Sequence, residues 1–290
     1  VPLVLPDATR LAVSVGVDFD AQSVWMGSFD LRSPAYLSRG EFGAEVGVPR
    51  VLHALRQHAI TTTWCVPTHT LQTFPRACED ILADGHEIAA HGVYHERVGQ
   101  LAADEERRLL ELQLDQHVAL LGRRPAGYRS PAWDFSEATL SLLQEYDFVW
   151  DSSLMGRDFE VYRPRPVTRR DNETGNRFGP EANLLEIPVS WALDDFPPLE
   201  HLPRSVGLGD TETVLSRWRD TFEFAYQRVP GGVFTLAVHP QTVGRAHVML
   251  MFERFLEEIA SHEGIWFATL SQIAASYVDP APADGRSPGS

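Results

Sequence analysis

Gly85-His-Glu-Ile-Ala-Ala-His-Gly-Val-Tyr-His-Glu96 is the stretch on which the reading of this chain turns. The run Ile88-Ala89-Ala90 is short and apolar, as in a strand buried on both faces, and it stops at His91. His95 follows four residues on, a spacing that predicts one helical turn with both imidazoles on one side, able to reach the same cation. A lone H-x-x-x-H is weak among eleven histidines, and one core histidine beside a solvated one would also produce it. A second segment of the same design adds the weight. In Val15-Gly-Val-Asp-Phe-Asp20 a hydrophobic strand again ends in metal-type ligands. Catalytic zinc sites commonly use three N/O ligands and keep one position open for water, and a carboxylate with two histidines is such a set.

Outward from these segments, short β-like runs alternate with longer helical patterns. Leu11–Val17, Thr61–Val66, Glu87–Ala90, Gly127–Arg129, Phe148–Trp150, Leu184–Val189, Val233–Val238 and Ile265–Ala268 read as buried strands. Val48, Val51, Leu52 and Leu55 mark an amphipathic helix, as do Phe252, Phe255, Leu256 and Ile259. A further helix runs from Glu105 to Leu121 and stops at Gly122; others start near Ser136 and Thr211. Seven or eight βα units without a composition break predict one α/β domain over residues 1–278, a closed or distorted parallel barrel. An open doubly wound sheet is the alternative. The first strand is followed by no glycine-rich phosphate loop, which argues against a nucleotide cofactor. Residues 21–45 and 152–183 are too long for simple connections and read as lips or lids of a pocket. The polar, Pro/Gly-rich tail at 279–290 reads as disordered.

A net charge of −15 opposes nucleic acid and anionic membrane surfaces as partners. No apolar run approaches the roughly 18–20 residues of a membrane span. The start Val1-Pro-Leu-Val-Leu-Pro6 lacks the basic and apolar regions of a signal peptide. Cys65 and Cys78 make no disulfide framework, so a cytoplasmic protein with two reduced cysteines is expected. Homo-oligomerisation is left open.

The polar residues converge after the strands: Asp18 and Asp20, His91 and His95, Arg129, Asp151, Trp191 to Asp195, and His239. In parallel barrels that C-terminal face carries the chemistry. Asp20, His91 and His95 are then expected to hold one divalent metal, zinc first, with cobalt, nickel or manganese as substitutes. Asp18 is the expected general base and Arg129 the cation that keeps it ionised. Phe19 separates the two aspartates, and residues i and i+2 of a strand share a face, so the two can exchange roles. His239 suits a general acid for the leaving nitrogen or oxygen. Trp25, Tyr94 and Trp133 are candidate pocket walls.

The ordered set of an Asp-rich first strand, H-x-x-x-H, Arg129-Ser-Pro131 and Leu236-Ala-Val-His239 resembles the polysaccharide deacetylase family over roughly residues 11–270. The resemblance implies a distorted (β/α) barrel and metal-dependent removal of acetyl groups from N-acetylated sugars, with the same residues in the same roles. Two segments depart from typical sugar deacetylases: Ser38-Arg-Gly-Glu-Phe-Gly43 and Trp191-Ala-Leu-Asp-Asp195. Both resemble the branch with allantoinase-like and cyclic-imide-hydrolase-like proteins, and they add Glu41 and Asp195 to the expected substrate contacts. Asp195 or Asp151 is expected to tune His239. The leading expectation is a metal-dependent hydrolase of a small cyclic imide, ureide or related amide. The alternatives are an N-deacetylase of glycans or peptidoglycan fragments, and a non-catalytic metal- or sugar-binding barrel.

Overall fold

The computed structural model describes residues 3–202 and 207–279; Val1, Pro2 and the expected tail beyond Asp279 lie outside the described residues. β1 (Leu11–Asp18) is buried along its whole length and organises the sheet. Its residues alternate. Leu11, Val13, Val15 and Val17 join the large apolar cluster that also holds Val51, Leu55, Phe252 and Phe255. Ala12, Ser14, Gly16 and Asp18 occupy the other face by the two-residue period of a strand. That small row makes room: a Cβ on Gly16 would lie 3.0 Å from Nη1 of Arg129, whose side chain is fully buried there.

β1 pairs in parallel with β2 (Thr63–Val66), which continues through β3 (Glu87–Ala90), β4 (Gly127–Tyr128) and β5 (Trp150–Asp151). β6 (Val167–Arg169) and β7 (Arg177–Phe178) form a separate antiparallel hairpin, and β8 (Leu185–Glu186) extends the main sheet beyond β5. β9 (Val233–Val238) pairs with the other edge of β1, from Ala12↔Val233 to Val17↔Val238. β10 (Ile265–Phe267) fills the space beside the start of β1. A parallel bridge, Asp194↔Ala237, spans from the segment after β8 to β9. The result is a distorted parallel (β/α) half-barrel, not an open doubly wound sheet. The distortion follows from strand length, since β4, β5 and β8 are two residues each.

Two expectations change. Residues 91–95 form no helical turn; Gly92 and His95 have φ of +73° and +59°, which a right-handed helix forbids. Residues 21–45 are not a loop but helices Ser23–Gly27 and Pro34–Phe42 and a π-turn, Gly43–Gly47, leading into helix Val48–Gln57. Pro49 has no N–H to return to Glu45, which fits a widened turn there. The glycines that looked like loop composition permit close approach: a Cβ on Gly47 would lie 2.1 Å from the carbonyl oxygen of Pro240. Among the described residues no helix is long and apolar enough to cross a membrane.

Candidate active site

At the C-terminal ends of β1 and β3, Asp20, His91 and His95 bring one ligand atom each within 4.8 Å of the others, all buried. Asp20 Oδ1 lies 3.3 Å from His91 Nε2 and 3.6 Å from His95 Nε2. Ligands at about 2.0–2.1 Å on a tetrahedral ion stand roughly 3.3 Å apart, so the spacing fits a cation. Among the described residues Asp20 Oδ1 and His91 Nε2 are buried polar atoms with no hydrogen-bond partner, as suits ligands to a metal. The far side of each imidazole is fixed: His91 Nδ1 bonds the Arg129 carbonyl at 2.7 Å, and His95 Nδ1 meets Ser28 Oγ at 2.6 Å. Burial lowers the His95 pKa to about 4, which leaves a neutral ring as a ligand. Burial alone would raise Asp20, but His95 and His91 more than reverse this and hold it ionised. The residues form a divalent-metal-binding site.

The loop that carries the histidines folds around Glu96. Its carboxylate accepts the N–H groups of Val93 at 3.0 Å and Tyr94 at 2.9 Å. The Glu96 carboxylate thus holds these N–H groups in a loop that the positive φ of Gly92 and His95 turns away from a helical path.

Asp18 shares the face of Asp20 but has a different partner. Its Oδ1 accepts from Arg129 Nη1 at 2.7 Å, and Arg129 is also held by Ser152 through Nε to the carbonyl and Nη2 to Oγ, both 2.9 Å. Burial would raise the Asp18 pKa; Arg129, then His91 and His239, bring it below the ordinary carboxylate value. Across the site, His239 Nε2 stands 3.9 Å from Asp18 Oδ2. Its Nδ1 lies 2.8 Å from Asp195 Oδ1 and 3.4 Å from Asp194 Oδ1. Burial would lower His239; Asp194 and Asp195 overcome it and raise the pKa well above the usual imidazole value.

These groups floor a cavity of about 220 Å³ whose walls include Val24, Phe29, Trp133, Trp191, Phe196 and Leu202. Trp133 and Trp191 stack with centroids 4.4 Å apart, and Trp191 is half exposed at the mouth. Ala132 and Trp133 are consecutive non-glycine residues at φ of +53° and +51°, strain of a kind concentrated at functional sites.

Of the expected substrate contacts, Trp133 lines this cavity; Trp25, Glu41, Tyr94 and Asp195 do not. Trp25 is fully buried behind the wall, packed on Phe29, Phe196 and the guanidinium of Arg39. Glu41 is exposed on helix Pro34–Phe42. Tyr94 is half-buried on the ligand loop, and Asp195 is fully buried against His239. Asp151, the other residue weighed as a partner for His239, instead accepts from Ser153 Oγ and pairs in register with Glu186. Ser28 and Phe29 of the first long segment line the cavity, but none of residues 152–183 does. Phe29, Phe196 and Leu202 carry no signal in the sequence, whereas Asp194 lies in the Trp191–Asp195 segment expected at the site, though without a role of its own.

The family model described as polysaccharide deacetylase matches residues 28–149. A peptidoglycan deacetylase of Helicobacter pylori is 34% identical over 289 residues, covering 95% of this chain and 99% of that protein. The chain belongs to the polysaccharide deacetylase family. Among solved structures of this family, a presumptive polysaccharide deacetylase of Mycobacterium smegmatis superposes with a TM-score of 0.81 at 29% identity, covering 97% of this chain and 98% of that one. The fold is also that of an allantoinase, with a TM-score of 0.76 at 21% identity over 94% of this chain and 91% of that one. The metal site and this kinship make the protein a metal-dependent hydrolase of carbon–nitrogen bonds.

Proposed function

We propose that the substrate is a small cyclic imide or ureide, opened at one ring C–N bond. The observation that carries this reading is the cavity: about 220 Å³, smaller than the roughly 300–1,000 Å³ of common ligand sites, and apolar-walled above the charged floor. The aromatic walls Phe29, Trp133 and Trp191 suit a flat ring, whereas an extended glycan needs an open groove. The allantoinase of like fold acts, by its name, on a ureide.

Zinc suits the nitrogen-rich donor set of Asp20, His91 and His95. When bound, the cation supplies Lewis acidity toward a carbonyl oxygen and makes water more acidic. The chain's own groups then divide the proton work. Asp18, kept anionic by Arg129, takes a proton from the attacking water as its oxygen bonds the carbonyl carbon. His239 reaches the site with Nδ1 on Asp195, which leaves Nε2 to give its proton to the nitrogen as the C–N bond breaks. His239 Nε2 lies 3.9 Å from Asp18 Oδ2 and 3.7 Å from Asp20 Oδ2, so the proposed acid and base face the same small space beside the metal ligands. We assign the chemistry to a single catalytic domain over residues 1–278. The buried free thiols of Cys65 and Cys78 favour the cytoplasm.

A second reading, N-deacetylation of peptidoglycan fragments, is favoured by the name of the 34% identical Helicobacter pylori relative. A panel of succinimide, hydantoin, allantoin and chitooligomers with metal-loaded protein separates the two. The proposal expects ring opening to exceed acetate release by orders of magnitude in kcat/KM. Efficient acetate release from chitooligomers with no ring opened would sink it.

A further inference from the structure

His239 has two neighbouring carboxylates where one would orient it. Asp195 is fully engaged: Oδ1 meets His239 Nδ1 at 2.8 Å, and Oδ1 and Oδ2 both accept the His239 backbone N–H, at 3.0 and 3.2 Å. Asp194 is different. It is 2% exposed, it lines the cavity, and its Oδ1 accepts the Phe196 N–H at 2.9 Å. Among the described residues Asp194 Oδ2 has no hydrogen-bond partner, and it is not sealed from the cavity that Asp194 lines, so it can accept from a bound ligand. The other polar groups of the cavity already have tasks: Ser28 holds His95, Asp18 with Arg129 and His239 with Asp195 serve as proposed base and acid, and Asp20, His91 and His95 form the metal site.

We infer that Asp194 is the specificity-determining residue of this cavity, its free carboxylate oxygen accepting an N–H of the substrate ring, so that the enzyme selects rings that carry an unsubstituted N–H. The inference rests on the reading of the substrate as a small cyclic amide. It adds what that reading lacks, since walls of Phe, Trp and Leu hold a ring but do not orient it. Burial pushes the Asp194 carboxyl up to about 7 against the opposing pull of His239, in keeping with a group short of donors until a ligand supplies one.

The experiment compares succinimide with N-methylsuccinimide on wild-type protein and on Asp194→Ala, with Asp194→Asn as the variant of matched shape. Taking the ratio of wild type to variant for each substrate cancels intrinsic reactivity. Sites that hydrogen-bond a substrate N–H reject analogues lacking it strongly, so Asp194→Ala should lose about 100-fold or more in kcat/KM on the N–H ring. On the N-methyl ring, where only the support of His239 is removed, the same variant should lose at least about 10-fold less, and Asp194→Asn, which keeps a neutral acceptor, should fall between. Equal losses on both rings, with a displaced pH profile, would overturn the inference and leave Asp194 as a mere support of His239. Binding is read separately in metal-free protein from the fluorescence of Trp133 and Trp191. A wild-type preference for the N–H ring, abolished in Asp194→Ala, supports the inference even if neither ring is opened, a result that would refute only the ring-opening reading. No preference for the N–H ring in wild-type binding overturns the inference.

Discussion

Replacing Asp18 by Asn separates base from ligand more cleanly than any other single change. The amide has the same shape and can still accept from Arg129 Nη1, now 2.7 Å from Asp18 Oδ1, so the fold should persist. It cannot take a proton, and general-base catalysis is worth about 10²–10⁴-fold, which is the expected loss in kcat. Arg129 would lose its ion pair while fully buried, though Ser152 keeps two of its donors occupied. Breaking a buried pair costs about 3–5 kcal/mol, and the remaining bonds place this case near the lower figure. At about 2.1 cal/mol/K per residue, 290 residues give an unfolding entropy near 0.6 kcal/mol/K, so 3 kcal/mol lowers Tm by about 5 °C. Because Asp18 has a depressed folded pKa, its stabilisation is present above the unfolded value of about 3.9 and lost as pH falls through the folded one. The Tm difference should therefore shrink on acidification below about pH 4. The assay is kcat on the best ring substrate, metal equivalents per chain, and Tm across pH. Loss of the metal would make Asp18 a ligand and refute the division of the two aspartates; kcat within tenfold of wild type would refute the base.

Two further substitutions test the supports of the site. Glu96→Ala removes the acceptor of the Val93 and Tyr94 N–H groups and should weaken metal binding about 10–100-fold, as loss of outer partners does elsewhere, with Glu96→Gln closer to wild type; chelator competition measures it, and unchanged affinity would contradict the role. Burial raises Asp151 to about 6 and, with Asp151 beside it, raises Glu186 further, so this pair's contribution is present below about pH 4 and lost as pH rises through the folded values. Glu186→Gln should flatten the fall in Tm between about pH 5 and 8, and a variant with the same slope as wild type would contradict this.

Much of the frame was legible because it rests on local chemistry. The alternation from Leu11 to Asp20 puts large residues toward the helices and small or acidic ones toward the barrel, and that pattern needs no tertiary information. The strands ending at Ala90 and Val238 were equally readable as buried runs that stop at histidines. The path of the ligand loop was not, since Gly92 and the Glu96 carboxylate override a spacing that fits a helix. Residues 21–45 misled by composition, because glycine that permits helix-to-backbone contact looks the same as glycine in a loop. The cavity walls come from segments near Phe29, Trp133, Phe196 and Leu202, which are brought together only by the folded half-barrel. No window of sequence contains that information.

One cation held by Asp20, His91 and His95 underlies the whole of the proposed chemistry. Elemental analysis of protein purified without chelator, alongside Asp20→Ala, His91→Ala and His95→Ala, tests it directly. The wild type should carry about one equivalent of divalent metal per chain, as single-site enzymes do, and each variant far less while remaining folded by circular dichroism. Full metal content in folded His91→Ala and His95→Ala would contradict it.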